Sequence, residues 1–286
     1  PDRSPKEQRD GGAAFPDAFK AVVAQVVGGS AVMATCVDSP GLLLAARLGN
    51  AGGIVVGYGD SEMYVASDLA ALVPCTRQAA FLGNREIAAI RSGGVEYFDL
   101  TGVSLTKAPS PITIDAVSIG KQGHKHYMLK EILEQPQAMT EALVGRVSLS
   151  PPGITLDEIT LSDDAIRRLR RVVLLGMGTS YHAAMLGRLF FEQIAGIPAD
   201  TDNASEFRYR DALLAPDTLV VSVTQSGETV DTLAAMEQVQ LKGIPQAVVT
   251  NTPGSQATRI ANDTVFMRAD LEVGVASTKC YTNAVA

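Results

Sequence analysis

Two segments of this 286-residue chain combine glycines with closely spaced hydroxyl side chains, and each comes just after an apolar run. Residues 176–180 read Gly-Met-Gly-Thr-Ser and follow 172–175, while residues 223–229 read Val-Thr-Gln-Ser-Gly-Glu-Thr and follow 219–221. Glycine lets a backbone approach a ligand closely, and the N–H groups at a helix start can donate to an anion together with nearby hydroxyl groups. The two segments therefore predict a phosphate site built from strand-to-helix turns.

A third segment of the same kind, residues 272–279, reads Glu-Val-Gly-Val-Ala-Ser-Thr-Lys, and its Lys279 adds a positive charge. Ordinary helix capping is the competing explanation for these segments, because Ser and Thr often cap helices where no ligand binds. Glu228, within the second segment, would repel a phosphate unless its side chain points away, as we expect. The chain has neither a Walker lysine pattern nor a complete GxGxxG, so a monophosphate held by neutral donors fits better than a nucleotide.

The second half of the chain alternates apolar runs with helical patterns. We predict strands over 171–175, 219–224, 246–251 and 264–267, and helices over 180–195 and 229–241. This order implies a doubly wound parallel sheet, in which ligands bind at the carboxyl ends of the strands. Both hydroxyl-rich turns lie at such ends. Before this region, a charged helix is predicted from about residue 126, broken near Pro136 and resumed toward 144, and then a linker over 148–154.

In the first half of the chain the apolar residues follow a different pattern. From residue 31 to about 100, short strands and tight turns predict an antiparallel sheet region, so the chain as a whole is assigned to the α/β class. A helix is predicted over 15–27, and Asp68 is expected to cap a short helix at 69–72. The first dozen residues are expected to be disordered, and residues 101–123 to form an irregular linker.

The composition excludes several classes of protein. A net charge of −7 argues against a nucleic-acid partner, and no apolar run reaches the roughly 18 residues of a membrane span. Cys36, Cys75 and Cys280 are far apart and form no Cys/His cluster, so we expect buried, reduced thiols in a cytoplasmic protein, with no metal site and no cofactor.

The hydroxyl-rich segments, together with Ala-Ser-Glu-Phe-Arg-Tyr-Arg at 204–210, resemble the first sugar-isomerase (SIS) domain of the glutamine–fructose-6-phosphate aminotransferases. Residues 120–136 resemble that family's interdomain segment, and residues 38–47, 66–68 and 76–77 resemble the end of its glutaminase domain. The resemblance implies three regions. Residues 1–120 would be the C-terminal part of a class II glutamine amidotransferase domain, 121–160 an interdomain linker with a helix, and 161–286 the first SIS domain, truncated at its C-terminal end.

The family converts fructose 6-phosphate and glutamine to glucosamine 6-phosphate and glutamate. The resemblance therefore implies a sugar-phosphate ligand and a homodimer formed through SIS domains. It also implies the site residues: Thr179, Ser180, Thr224, Gln225, Ser226 and Thr229 hold the sugar phosphate, while Val275 and Ser277 contact the sugar. Thr224 stands where the family usually has serine, and it keeps the hydroxyl group.

Parts of the family's chemistry have no counterpart in this sequence. The family's glutaminase uses an N-terminal cysteine as the nucleophile, whereas residue 1 here is Pro1, and we expect the family's second SIS domain to be missing from this chain. His182 is expected to be a helix-surface or packing histidine rather than a substitute for the family's catalytic histidine. We therefore expect an internal part of the aminotransferase that keeps the sugar-phosphate site, has no catalytic residue and hydrolyses no glutamine by itself. The alternative is a non-catalytic SIS module that senses sugar phosphates. A sugar-phosphate isomerase is disfavoured, because no Glu/His pair is poised for proton transfer between C1 and C2.

Overall fold

The computed structural model describes residues 12–50, 53–112 and 120–286, and the chain divides into two compact units, 1–118 and 119–286. Each unit has its own sheets and its own buried apolar clusters. The N-terminal segment that was expected to be disordered lies, up to residue 11, outside the described residues. Within the described ranges, no helix combines the length and apolar character that crossing a membrane requires.

The first unit consists of one helix and two antiparallel sheets in its described part, as the turn-rich pattern predicts. One sheet has the strand order β1-β2-β6-β7-β8 and the other β4-β3-β5-β9. The elements are α1 Phe15–Val23, β1 Ser30–Thr35, β2 Leu43–Leu48, β3 Val55–Tyr58, β4 Met63–Ala66, β5 Gln78–Phe81, β6 Glu86–Arg91, β7 Gly94–Asp99, β8 Ser104–Leu105 and β9 Ser110–Pro111.

Strand β2 is buried on both faces because different elements cover the two sides of its sheet. Leu44 on one face packs in a cluster with Phe19 of α1, whereas Ala45 on the other packs with Val56 and Ala80 of the second sheet. The first unit is therefore layered as helix, sheet and sheet. Its helix ends at Val23, four residues before the predicted end, and two short strands interrupt the predicted linker over 101–123.

The second unit contains a parallel sheet wrapped by helices. Its elements are α2 Tyr127–Leu143, β10 Val147–Leu149, β11 Pro152–Ile154, α3 Asp163–Arg168, β12 Arg171–Gly176, α4 Thr179–Phe190, β13 Ala199–Asn203, α5 Ala204–Phe207, β14 Thr218–Thr224, α6 Val230–Leu241, β15 Gln246–Thr250, α7 Gln256–Ile260, β16 Asp263–Phe266 and α8 Lys279–Val285. A π-helical turn, Phe191–Ala195, extends α4 to the predicted end of that helix.

The five strands of this sheet lie in the order β13-β12-β14-β15-β16, and all of their pairings are parallel. The chain first moves from β12 to β13 on one side and then returns to place β14 on the other side of β12. In such open sheets the crevice between the two strands that flank this reversal is where ligands bind. The predicted doubly wound sheet is confirmed, but β13 was missed because its Ala-Asp-Thr-Asp-Asn sequence has no apolar run and occupies a sheet edge.

Helices cover both faces of the parallel sheet. On one face, Leu174 packs with Ala184 of α4 and Cys280 of α8. On the other face, Leu175 packs with Phe207 of α5. The central strands β12 and β14 are buried almost throughout, which explains why they read as continuous apolar runs in the sequence.

Helix α2 runs without interruption through Pro136, so the predicted break is wrong. Proline has no N–H to donate to the carbonyl four residues earlier, which is that of Ile132. The side-chain amide of Gln135 donates to this same carbonyl at 3.0 Å and replaces the missing bond. The helix therefore continues because a neighbouring side chain satisfies the carbonyl that proline would leave unpaired.

The cysteines differ in exposure. Cys280 is buried, and desolvation raises the pKa of its thiol well above the ordinary range. Cys36 is half-buried, whereas Cys75 is exposed, so the prediction that all three are buried is wrong for Cys75. The backbone N–H of Cys75 donates to the carbonyl of Leu72, in the turn that follows the 3-10 turn Leu69–Ala71. Asp68 caps this 3-10 turn by accepting from the N–H of Ala70.

Replacing Leu233 by alanine is expected to destabilise the second unit strongly. The side chain of Leu233 is 0% exposed between α6 and the sheet, and emptying such a site costs about 2–5 kcal/mol. Leu241, on the same helix, is 88% exposed and provides the matched control. Urea unfolding followed by far-UV circular dichroism should give a lower midpoint for Leu233→Ala and an unchanged one for Leu241→Ala. Equal midpoints would contradict the assigned core.

The segment 148–154, predicted as a linker, forms part of the β10–β11 hairpin.

Glu158, which follows this hairpin, is bonded by two arginine side chains of the same unit. A hydrogen bond from Arg146 at 2.6 Å, with a further one from Arg268 at 3.1 Å, holds the pKa of the Glu158 carboxyl below its ordinary value of 4.5. A lowered pKa in the folded state stabilises the fold at higher pH, and this contribution is lost as the pH falls through the folded-state pKa.

Glu158→Gln is therefore expected to lower the unfolding midpoint at pH 7, and its difference from the parent chain should shrink as the pH falls below about 4.5. Glu141→Gln, an exposed change on α2, serves as the control and should leave the midpoint unchanged. A difference for Glu158→Gln that stayed constant from pH 7 to pH 3 would exclude the charge of Glu158 as its source.

Candidate functional site

A cavity of about 380 Å³ lies where the loops after β12 and β14 meet the loop after β16. Seven of the eight side chains predicted to bind a sugar phosphate line it: Thr179, Ser180, Gln225, Ser226, Thr229, Val275 and Ser277. The eighth, Thr224, is 2% exposed and lies behind this lining. The three hydroxyl-rich segments, which are up to about a hundred residues apart in the sequence, are thus brought together at one edge of the sheet.

The first segment turns sharply from β12 into α4. A Cβ at Gly176 would lie 2.7 Å from the N atom of Tyr181, so only glycine lets the helix start so close to the strand end. Gly178, the residue before the helix, has a φ of +54°. The first-turn residues Thr179 and Ser180 are half-buried and line the cavity, because the turn brings the start of α4 over the end of the strand.

The second segment is held by hydrogen bonds around Gly227, which has a φ of +66°. Thr224 accepts from the N–H of Gly227 at 3.3 Å, and its hydroxyl oxygen lies 3.4 Å from that of Thr229. The carbonyl of Gln225 accepts from the N–H of Asn251 at 3.0 Å, which joins this loop to the end of β15. Thr224 thus fixes the loop and orients Thr229 instead of facing the cavity.

Glu228 points away from the cavity, as the sequence analysis required. Its carboxylate accepts from the backbone N–H of Gln256 at 2.9 Å and from the side-chain amide of the same residue at 2.5 Å. Gln256 is the first residue of α7, so the negative charge is placed at a helix start, where the dipole favours it. Glu228 therefore stabilises the start of α7 rather than facing the cavity.

The third segment folds around the carboxylate of Glu272, a residue for which the sequence predicts no role. One oxygen accepts from the Ser277 hydroxyl at 2.6 Å, and the other accepts from the Thr278 N–H at 2.8 Å. Glu272 is also the ionisable residue among those lining the cavity. Lys279, expected to add a positive charge, is buried and bonds Glu134 at 2.8 Å, so it does not line the cavity.

Helix capping does not account for the hydroxyl groups of these segments. The residues that precede α4, α6 and α8 are Gly178, Thr229 and Thr278, and none of them makes a side-chain capping hydrogen bond. Ser226 instead accepts from the N–H of Glu228 at 3.1 Å, within its own loop. Hydroxyl groups of Thr179, Ser180 and Thr229 therefore border the cavity without capping the helices that start there.

The cavity lining offers neutral donors at the starts of two helices, α4 and α6, each 12 residues long. Helix starts carry a partial positive charge, which favours a bound anion. Within the described ranges, no cluster of His, Cys, Asp or Glu is arranged to hold a metal ion. His182 is exposed on α4, as expected from the sequence, and does not line the cavity.

Comparison with known proteins identifies the class. The SIS domain family matches residues 165–286. Among solved structures, the C-terminal domain of glucosamine-fructose-6-phosphate aminotransferase from Francisella tularensis aligns with a TM-score of 0.54 and 34% identity, over 58% of this chain and 46% of that one. The parallel sheet and these two matches show that the second unit contains a SIS domain.

Curated relatives extend the match to most of the chain. The glutamine–fructose-6-phosphate aminotransferase (isomerizing) of Methanosarcina acetivorans is 42% identical over 258 residues, which are 90% of this chain and 41% of that protein. The enzyme of the same name from Caldanaerobacter subterraneus is 36% identical over 266 residues, 93% of this chain and 43% of that protein. The chain is thus similar to the glutamine–fructose-6-phosphate aminotransferases over about nine tenths of its own length, and it spans about two fifths of the length of these relatives.

Gly227→Ala is expected to lower the free energy of unfolding by more than the left-handed backbone at residue 227 would by itself. A Cβ there would lie 2.0 Å from the Ser255 hydroxyl oxygen, whereas a Cβ at Gly243, which has the same φ of +66°, would meet nothing within 4 Å. Gly243→Ala should therefore cost about 1 kcal/mol from its left-handed backbone alone. Urea unfolding of both variants measures the difference, and equal losses would contradict the close packing of Gly227.

Proposed function

We propose that the cavity binds fructose 6-phosphate, and that this chain is part of an enzyme that converts fructose 6-phosphate and glutamine to glucosamine 6-phosphate and glutamate. The observation that carries the proposal is the meeting of three hydroxyl-rich segments around one cavity at the reversal of the strand order. Their hydroxyl groups border the cavity without capping the adjoining helices. The names of the relatives supply the reaction, and the cavity supplies a place for its sugar substrate.

In this proposal the phosphate lies between the starts of α4 and α6. Thr179 and Ser180 approach it from one side, and Ser226 and Thr229 from the other, with the amide of Gln225 as a further donor. The two helix dipoles favour the anion, and the outward turn of Glu228 removes the nearest repulsion. Thr224 contributes by holding Gly227 and Thr229, so its assigned role changes from contact to positioning.

The sugar would extend from the phosphate toward Val275 and Ser277. The Ser277 hydroxyl already donates a hydrogen bond to Glu272, so toward a ligand it can act only as an acceptor. A sugar hydroxyl that donates a hydrogen bond suits this acceptor. Both oxygens of Glu272 are engaged within its own loop, which supports binding rather than proton transfer as the task of this lining.

For the first unit we propose a class II glutamine amidotransferase origin. The support is the extent of the sequence match: 258 matched residues exceed the length of the second unit, so the match must continue into the first. Its antiparallel sheets are compatible with the C-terminal part of such a domain. A cytoplasmic location and a homodimer formed through SIS domains belong to the same proposal.

A sugar-phosphate-binding SIS module without catalysis is the second candidate. It is favoured by the cavity itself, whose ionisable lining residue, Glu272, is committed to Ser277 and Thr278. Both candidates require that fructose 6-phosphate bind. They differ in turnover, which is measured by glucosamine 6-phosphate formation from fructose 6-phosphate and glutamine by the protein as it is produced in its source cells. We expect the 286 residues alone to bind without turnover.

Removing a hydroxyl group from the proposed phosphate site should weaken fructose 6-phosphate more than fructose. A hydrogen bond to a charged group contributes about 1.5–3 kcal/mol, so Thr229→Ala or Ser226→Ala should reduce fructose 6-phosphate affinity by roughly ten- to a hundredfold. Thr155→Ala, at an exposed position outside the cavity, is the control and should change neither affinity. Isothermal titration calorimetry measures each affinity, and an equal loss for both sugars would remove the phosphate assignment.

A further inference from the structure

Helix α2 carries a buried acid, Glu131, that faces the backbone of the third cavity segment. The side chain is 1% exposed. One of its oxygens accepts from the N–H groups of Val273 at 2.6 Å and Gly274 at 3.1 Å, and the other also lies 3.1 Å from the N atom of Gly274. A carboxylate is costly to bury unless such donors surround it. Glu131 is thus a specific anchor for two consecutive peptide groups, directly before Val275.

Gly274 is required for this contact. A Cβ at that position would lie 2.4 Å from an oxygen of Glu131, closer than real Cβ atoms come to other atoms. Its backbone conformation does not itself demand glycine, because Gly274 has no positive φ. The approach of the Glu131 carboxylate, rather than the backbone conformation, therefore limits which residue can stand at 274.

A second tie joins α2 to the other end of the same loop. The buried ammonium group of Lys279 donates to Glu134, one helical turn after Glu131, and the ammonium group of Lys130 lies 3.4 Å from the same carboxylate. Farther along, Asn283 of α8 donates to the carbonyl of Ala138 on α2 at 2.8 Å. The loop 272–278 is therefore fixed to α2 at its start and at its end.

We propose that Glu131 is a positioning residue for the sugar end of the cavity. By holding the N–H groups of Val273 and Gly274, it sets the place of Val275 and Ser277, which line the cavity one and three residues farther on. The loops that border the phosphate end, after β12 and β14, make no contact of this kind with Glu131. The proposal rests on the proposed function for its ligand, but the anchoring itself does not depend on any ligand.

The test compares Glu131→Gln with Glu141→Gln in the 286-residue chain. Glutamine keeps the shape of residue 131 and one acceptor oxygen, but its uncharged NH₂ group would donate where the N–H of Gly274 also donates, so the anchor is weakened. Glu141 lies on the same helix and is exposed. The measurements are amide hydrogen exchange of Val273 and Gly274 by NMR, and the affinities for fructose 6-phosphate and for inorganic phosphate by calorimetry.

We expect Glu131→Gln to speed exchange at both amides by about tenfold or more, as local opening becomes easier. Affinity for fructose 6-phosphate should fall about tenfold, the effect of one misplaced hydrogen bond, while affinity for inorganic phosphate stays within about twofold. Glu141→Gln should match the parent chain in all three measurements. This split between the two ligands separates positioning of the sugar end from general damage, which would weaken both ligands alike.

Unchanged exchange at Val273 and Gly274 in Glu131→Gln would overturn the proposal, as would equal weakening of both ligands. If the parent chain binds neither ligand, the proposed function fails, and the exchange measurement alone then decides whether Glu131 anchors the loop. Gly274→Ala provides a second route if Glu131→Gln does not fold, because it keeps glutamate at position 131 but displaces its carboxylate from the loop. It should give the same split between the ligands, and equal losses would again count against the proposal.

Discussion

The parallel pairing of β12 with β14 is the constraint on which the rest of the second unit depends. Their register runs from Arg171 opposite Thr218 to Leu175 opposite Ser222, so both strands end at the same level of the sheet. The turns that follow are therefore neighbours in space although they are about 45 residues apart in the sequence. Because the chain places β13 on the other side of β12, no further strand lies between these two turns, and a crevice opens there.

Carboxylates lie close to the cavity for which we propose an anionic ligand, and each of them accepts hydrogen bonds from other groups. Glu228 caps α7 through Gln256, and Glu272 is closed off by hydroxyl and N–H donors of its own loop. Glu131 binds backbone N–H groups from the far side of that loop. These acids organise the loops, and the donors that face the cavity are neutral. A site of this kind binds an anion through oriented dipoles rather than through a cationic side chain.

The sequence was sufficient for the features that arise from local pattern. Apolar runs such as 172–175 predict the central strands, and glycine with hydroxyl groups after them predicts where the cavity lies. It was insufficient where a distant partner decides. Strand β13 is polar and forms because it pairs with the edge of β12. Thr224 is buried because Gly227 and Thr229 bond its hydroxyl group.

Two charged residues show the same limit. The sequence alone does not reveal that Lys279 is paired with Glu134. Nor does it assign a role to Glu131, because the partners of this acid are backbone N–H groups 142 and 143 residues away.

Beside Pro136 of the continuous helix α2, the side-chain amide of Gln135 is held in one orientation by its two hydrogen bonds. Gln135 donates through its NH₂ group to the carbonyl of Ile132, and its oxygen accepts from the hydroxyl of Thr282 on α8 at 2.6 Å. Glutamate at 135 would place a carboxylate oxygen against that exposed carbonyl and could not donate to it. Proline at 136 therefore makes residue 135 matter: the side chain of Gln135 supplies the donor that proline lacks, whereas any other residue at 136 would supply it from its own backbone.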